Sequence, residues 1–186
     1  MIFETIQHRR SIYPAQFNEE RVPKEVIATL LEAANWAPSH YKTEPWRFKV
    51  IYSKEAKQEF SDFIAETYKE NAPKFSELKH KKIQAMPLQS GAIIAICMQR
   101  DEKERMPEWE ETAAVAMAVQ NLWLQATEMG IGGFWSSPGI IIRDMYQFFD
   151  FKEGEDCMGF FYLGYYDELP PNAERGAIEE KITWLY

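Results

Sequence analysis

The stretch from Leu30 to Ile51, LLEAANWAPSHYKTEPWRFKVI, contains the end of a helix, a loop and a strand. Just upstream, Pro23 stands at a first helical position, and Val26, Ile27, Leu30, Leu31 and Ala34 recur at helical spacing, so residues 23–36 have one apolar face. The helix stops at Ala37-Pro38, because a proline pushes the residue before it out of the helical region. Beyond Pro45 the period changes to two. Trp46, Phe48, Val50 and Tyr52 alternate with Arg47, Lys49 and Ile51, which predicts a half-buried strand.

Working outward, Ser53 is placed to cap a helix whose apolar stripe is Phe60, Phe63, Ile64 and Tyr68. Residues 74–86, highly charged and set between Pro73 and Pro87, form another helical stretch with the character of a lid. Residues 91–98 are continuously apolar and suit a central strand covered on both faces. The helix predicted over residues 109–129 is apolar nearly all round, so it must be buried in a core or an intersubunit contact, and Gly130 supplies its stop. A short strand at 131–135, a loop, a short helix around 143–149 and a strand at 158–165 follow. The tail from 167 to 186 reads as extended. Helices and strands alternate irregularly around a sheet of about four or five strands, which makes the class α+β. No repeat, linker or composition shift divides residues 1–186, so a single domain is expected.

Composition excludes several functions. With 29 acidic against 21 basic residues the net charge is −8, which disfavours nucleic acid and anionic lipid as partners. Cys97 and Cys157 lie in apolar runs far apart, as core residues in a reducing compartment do, and a cytoplasmic location is expected. The amino terminus lacks the basic and apolar regions of a signal peptide, and no apolar run approaches the ~20 residues of a membrane helix. The aromatic content is high: six Trp, nine Tyr and twelve Phe exceed what a core of this size needs.

The chemistry-bearing patterns are few. His8, His40 and His80 are scattered without metal-ligand spacing, so no metal site is expected. No nucleophile elbow exists, and neither cysteine has an activating neighbour in sequence. The glycines of Gly130-Ile131-Gly132-Gly133 follow a helix rather than open one, so they are no dinucleotide fingerprint; they let a strand pass close to something flat or to another backbone. Arg9-Arg10-Ser11 offers two guanidiniums and a hydroxyl for forked hydrogen bonds to a phosphate. Equally, it is a basic helix terminus complementing the macrodipole. Residues 36–46 form either a loop anchored by Trp36 and Trp46 or a pocket edge with Ser39 and His40 available to a heterocycle.

Five runs in order, Arg9-Arg10-Ser11, residues 30–40, residues 45–51, residues 128–135 and residues 161–165, with Arg175 and its neighbours closing the series, resemble the FMN-dependent nitroreductase family. The resemblance extends from about residue 3 to the end of the chain and is to the compact branch. It implies a nitroreductase-like fold with a central mixed or antiparallel sheet, in an intertwined homodimer with two FMN molecules at the interface. It implies that Arg9, Arg10 and Ser11 hold the ribityl phosphate and part of the ring, and that Arg175 also meets the phosphate. Trp36, Pro38, Ser39 and His40 would reach the flavin bound mainly by the partner, while Trp135, Ser136 and Ser137 would line it, and residues 125–130 would be associated with the nicotinamide. Trp109, Trp123, Trp184 and the tail 167–186 are expected at the dimer contact.

The resemblance further implies an NAD(P)H oxidoreductase that passes hydride to FMN and then to a nitroaromatic, quinone or similar acceptor. No protein acid, base or nucleophile is expected, since the flavin itself accepts the hydride. The alternatives are a specialised flavin-dependent reductase and a non-catalytic FMN-binding or storage protein, because a fold does not fix a substrate. Three departures stand out. Tyr13 occupies the place of a second basic residue near the flavin N1 and C2 oxygen, Lys42 and Glu44 replace an Asn and a Gln, and Ser136 stands where an arginine is common. Lys42 is the expected substitute amine.

Overall fold

The computed structural model describes residues 2–171 and 173–186; Met1 and Asn172, which the sequence reading includes in the domain and its tail, lie outside the described residues. The elements in chain order are α1 (Ile2–His8), α2 (Lys24–Asn35), β1 (Trp46–Ile51), α3 (Lys54–Asn71), α4 (Glu77–Leu88), β2 (Ala92–Gln99), α5 (Glu108–Glu128), β3 (Ile131–Ser136), α6 (Gly139–Ile142) and β4 (Glu155–Tyr165). The strands make a four-stranded sheet in the order β1-β2-β4-β3, with every neighbouring pair antiparallel. A single parallel bridge, Ser11 to Gly133, attaches the chain after α1 to the free side of β3.

Both faces of this sheet are covered, which is why β2 has no polar side: Ala92 to Met98 are all buried. Alternate residues serve opposite layers. Ile94, Ile96, Met98, Phe161 and Leu163 pack against α2 and α5. Ile93, Ala95, Cys97, Phe160 and Tyr162 face α3, α6 and the segment around Met145. Each fully buried Ile, Leu or Phe in these layers contributes roughly 1.5–3 kcal/mol.

Local signals set most boundaries. Ser53 Oγ accepts from the Ala56 amide at 3.0 Å and starts α3, whose stripe Phe60, Ile64 and Tyr68 is buried. In α5, residues Ala114, Val115, Ala118, Val119, Leu122 and Ala126 are buried, whereas Trp109 and Met117 are exposed. Gly130, at φ +68°, ends that helix. Glu111 is buried in the first turns of α5, where it pairs with Arg100 and accepts from the Asp101 amide at 3.0 Å, fixing the helix to the end of β2.

Three expectations are corrected. Helix α4 continues through Pro87 to Leu88 instead of ending before the proline. A proline in the last turn forfeits one intrahelical bond, and the amides of Gln89 and Ser90 still bond Ala85 and Pro87. The short helix expected around 143–149 begins earlier, at Gly139, because the Pro138 carbonyl accepts from both Ile141 and Ile142 at 2.8 and 3.0 Å; a 3-10 turn over Met145–Gln147 completes the segment. On the edge strand β1, Ile51 is buried because its face of the sheet is covered by the α3 layer, while Val50, at the open edge of the sheet, is exposed.

Candidate functional site

The site begins where α1 ends. Arg10 serves the helix terminus: its Nη1 donates to the Gln7 carbonyl at 2.5 Å and the Arg9 carbonyl at 3.0 Å, and its Nε to Pro171 in the tail at 3.2 Å. Arg9 has the other role of the pair. Its guanidinium lies over the Trp123 indole, 4.4 Å from the ring centroid, and its Nη1 is buried without a hydrogen-bond partner. Burial, then the nearby charges of Arg175 and Arg10, push its pKa down from the ordinary value. Arg175 donates to the Glu174 carbonyl and is otherwise exposed; neither it nor Arg9 has a carboxylate partner among the described residues. Three guanidiniums with a buried unsatisfied donor among them suit a dianionic oxyanion such as a phosphate.

From Arg10 the chain runs extended along β3. Ser11 bridges Gly133, and the Ile12 amide donates to the Gly133 carbonyl at 3.0 Å. This approach explains the glycines. A Cβ on Gly133 would stand 2.4 Å from Phe161 Cζ, and one on Gly132 would stand 2.9 Å from Ile12 Cβ. The flat neighbour is therefore a core phenylalanine, and the close backbone is the segment leading out of α1.

Three residues beyond Arg10, roughly 10 Å along an extended chain, Tyr13 enters a second feature. A cavity of about 420 Å³ opens between α4 and the far face of β3 and β4. Its walls are mainly apolar: Ile83 and Met86 from α4, Phe134 and Ser136 from β3, Phe160 and Tyr162 from β4. The Tyr13 and Phe134 rings meet at 4.5 Å. Burial pushes the Tyr162 phenol pKa well up, so that group stays neutral. Lys79 and Lys82 stand at the mouth, with Lys82 Nζ 6.0 Å from the centre of the Tyr13 ring.

The remaining expected residues are placed as follows. Ser136 lines the cavity; Trp135 lies on the opposite face of β3, where its Nε1 is buried without a partner, and Ser137 is exposed. Trp36 is 79% exposed and bonds Glu32, beside a shallow cleft that includes Gln125 and Glu128. Pro38, Ser39 and His40 belong to the loop between α2 and β1. Ser39 Oγ accepts from the Glu44 amide at 3.2 Å, and His40 Nδ1 lies 2.6 Å from Glu110 Oε2 on α5. Within one chain this loop joins neither the arginine cluster nor the cavity. Lys42 stands on it at φ +53°, exposed, and lines neither feature. Trp123 is half-buried within its own chain, edge-on to Phe161.

Sequence reasoning missed Lys79, Lys82, Ile83 and Met86, although it marked their segment as lid-like. A signal was present: on a helix these positions share one face, so the lysines and the apolar pair point the same way. What they point at depends on strands far away in sequence.

The layered α+β chain thus gathers guanidiniums at one end of an extended segment and opens an aromatic-walled cavity at the other. The chain belongs to the nitroreductase family, whose model matches residues 6–165. It is 33% identical to the Bacillus subtilis protein named "Putative NAD(P)H nitroreductase YfhC" over 97% of this chain and 92% of that one. It is similar to the nitroreductase-like family protein from Bacillus cereus, with a TM-score of 0.84 and 27% identity over 100% of this chain and 96% of that chain. The fold is shared by a "putative nitroreductase in complex with FMN" from Desulfovibrio desulfuricans, with a TM-score of 0.74 and 22% identity over 100% and 97% of the two chains.

Proposed function

We propose that this protein is an FMN-dependent NAD(P)H oxidoreductase that reduces nitroaromatic, quinone-like or similar acceptors. The observation that carries this reading is the buried, partnerless Nη1 of Arg9 beside the charges of Arg10 and Arg175. Those three residues would hold the FMN phosphate, and the segment from Ser11 to Tyr13 would lead along the ribityl chain toward a ring placed near Trp135, Ser136 and Ser137. Family membership and the FMN complex of the Desulfovibrio relative support the same cofactor.

The bound flavin supplies hydride acceptance and donation at N5. The protein's residues bind and orient it, exclude water and leave one face open. Nicotinamide and acceptor then use that face in turn, which gives ping-pong kinetics. No side chain is assigned a proton transfer. The functional unit is a homodimer: Ile2 and Phe3 on α1, Trp36, Trp109 and Trp184 are all exposed on the single chain, an apolar set that a partner would cover. Trp36, Pro38, Ser39 and His40 would then reach the second flavin, and the tail 167–186 would pack on the partner.

The test is anaerobic addition of NADH or NADPH to the FMN-loaded protein. Bleaching of the flavin absorbance, and its return when a nitroaromatic or quinone is added, is expected. Tight FMN that neither nicotinamide reduces would make the protein a flavin carrier instead.

A further inference from the structure

We infer that the cleft between the chain after Pro14 and the start of α3 takes the 2′-phosphoadenosine arm of NADPH, with Arg21, Lys54 and Lys57 as its anion ligands, so that this protein uses NADPH in preference to NADH. This rests on the FMN reading above and names the nicotinamide donor and the residues that select it.

The cleft is larger than the apolar cavity, about 840 Å³. Arg21 enters it from the segment ahead of α2, Lys54 and Lys57 from the start of α3, and Gln89 to Gly91 from the turn between α4 and β2. Three cations therefore line one space, and none has a carboxylate within ion-pair distance among the described residues. Glu19 and Glu20 line it as well, exposed and paired with none of the three. Two of the cations are held in place. Arg21 Nε donates to the Tyr52 hydroxyl at 2.8 Å, with its guanidinium 5.0 Å from the ring centre, and that hydroxyl donates to the Val22 carbonyl at 3.1 Å. Lys57 Nζ donates to the Ser90 carbonyl at 2.7 Å, which uses one of three ammonium protons. Partial burial, then the charge of Lys54, push the Lys57 pKa down from its ordinary value, a penalty that a bound anion would relieve.

The cleft and the apolar cavity meet, for Pro14, Ala15 and Gln89 line both. On β4, Phe160 lines the cavity and pairs with Ser136, while three residues further on the Leu163 carbonyl accepts from the amide of Gly91, in the cleft, at 2.8 Å. Three strand residues separate the two floors by roughly 10 Å. An extended dinucleotide spans that distance, so a nicotinamide beside the flavin ring near Ser136 leaves its adenosine end over the cleft. NADPH differs from NADH by one phosphate on the adenosine ribose, and a dianion is what three cations without carboxylate partners select. A dinucleotide without that phosphate leaves them facing water.

The experiment compares FMN-loaded wild type, Arg21→Met, Lys54→Met and, as a control elsewhere on α3, Lys69→Met. Binding of adenosine 2′,5′-bisphosphate is measured by calorimetry, and kcat and KM for NADPH and NADH by turnover with a quinone. Wild type is expected to bind the bisphosphate and to show a kcat/KM about tenfold or more higher with NADPH than with NADH. Arg21→Met and Lys54→Met should each weaken the bisphosphate and raise the NADPH KM about tenfold, the worth of one charge-assisted hydrogen bond, while the NADH KM moves far less. Lys69→Met should match wild type. Equal use of the two nicotinamides by wild type, absence of bisphosphate binding, an equal rise of both KM values in the variants, or a similar loss in Lys69→Met overturns the assignment and leaves the FMN reading intact. A bound flavin that neither nicotinamide reduces overturns both. Arg21 and Lys54 are exposed, so the substitutions leave the fold in place; the melting temperature of each variant checks this.

Discussion

Arg9 is held over the indole of Trp123, 4.4 Å from the ring centroid, with one terminal nitrogen buried and unbonded. The contact ties the end of α1 to the carboxyl-terminal part of α5. A cation–π contact of this kind contributes about 0.5–2 kcal/mol and holds the guanidinium in one orientation. The arginine thus carries a cost, an unpaired buried donor, that a phosphate would remove.

Replacing Arg9 with Met should weaken FMN binding by roughly ten- to a hundredfold, the worth of a charge-assisted hydrogen bond of about 1.5–3 kcal/mol. Trp123→Leu should weaken it less, since the charge remains and only its orientation is lost. Fluorescence titration with FMN checks both. Equal affinities in all three proteins would remove Arg9 from the site.

Gly159 in β4 sits at φ +137°, and a Cβ there would stand 2.6 Å from both the Ser136 carbonyl oxygen and Trp135 Nε1. Gly159→Ala is therefore strained by its backbone and crowded against β3 at once. A loss of roughly 2–3 kcal/mol is expected. At this chain length that lowers the melting temperature by about 5–10 °C, readable by calorimetry. Gly139→Ala, where no atom lies within 4 Å of the added carbon, serves as the control and should melt near wild type.

Asp101 is paired with Arg105, whose side chain accounts for most of the depression of the Asp101 pKa to about 2. In the unfolded chain the carboxylate titrates near 4, so the folded state binds the proton less readily. The stabilisation is then fully present above about pH 4 and disappears as pH falls through about 2. Wild type should melt above Asp101→Asn at neutral pH, and the gap should close in that acidic window. A gap that persisted below pH 2 would show that the pair acts through shape rather than charge.

Cys97 and Cys157 face each other across β2 and β4 and are both buried. The hydrogen bond with Cys157, and then burial, push the Cys97 thiol pKa far above the ordinary value, while the same contact lowers that of Cys157, which is kept from reagents by its burial in the sheet. Neither cysteine should react with iodoacetamide at neutral pH in the folded protein, and both should react after denaturation, as read by mass spectrometry. Fast labelling of the native protein would mean that this part of the sheet opens.

The sequence alone determined the order and type of the main elements, because the signals are local. Pro23 and Pro38 bracket α2, Ser53 caps α3, and an unbroken apolar run at 91–98 suits a covered strand. It also determined the family, since the five runs lie within the matched residues, and by resemblance it assigned Arg9-Arg10-Ser11 to a phosphate. It left the two roles of the arginines open, and only the tertiary structure divided them: Arg10 bonds carbonyls of its own helix end, while Arg9 is turned onto Trp123, more than a hundred residues away. The cavity was invisible for the same reason. Its walls come from α4, β3, β4 and the segment after α1, and a pocket exists only where packing brings such elements together. Lys82 looked like one charge among many on a solvated helix until the fold set its face over Tyr13. Local patterns encode which element forms; which side chains meet is fixed by long-range packing.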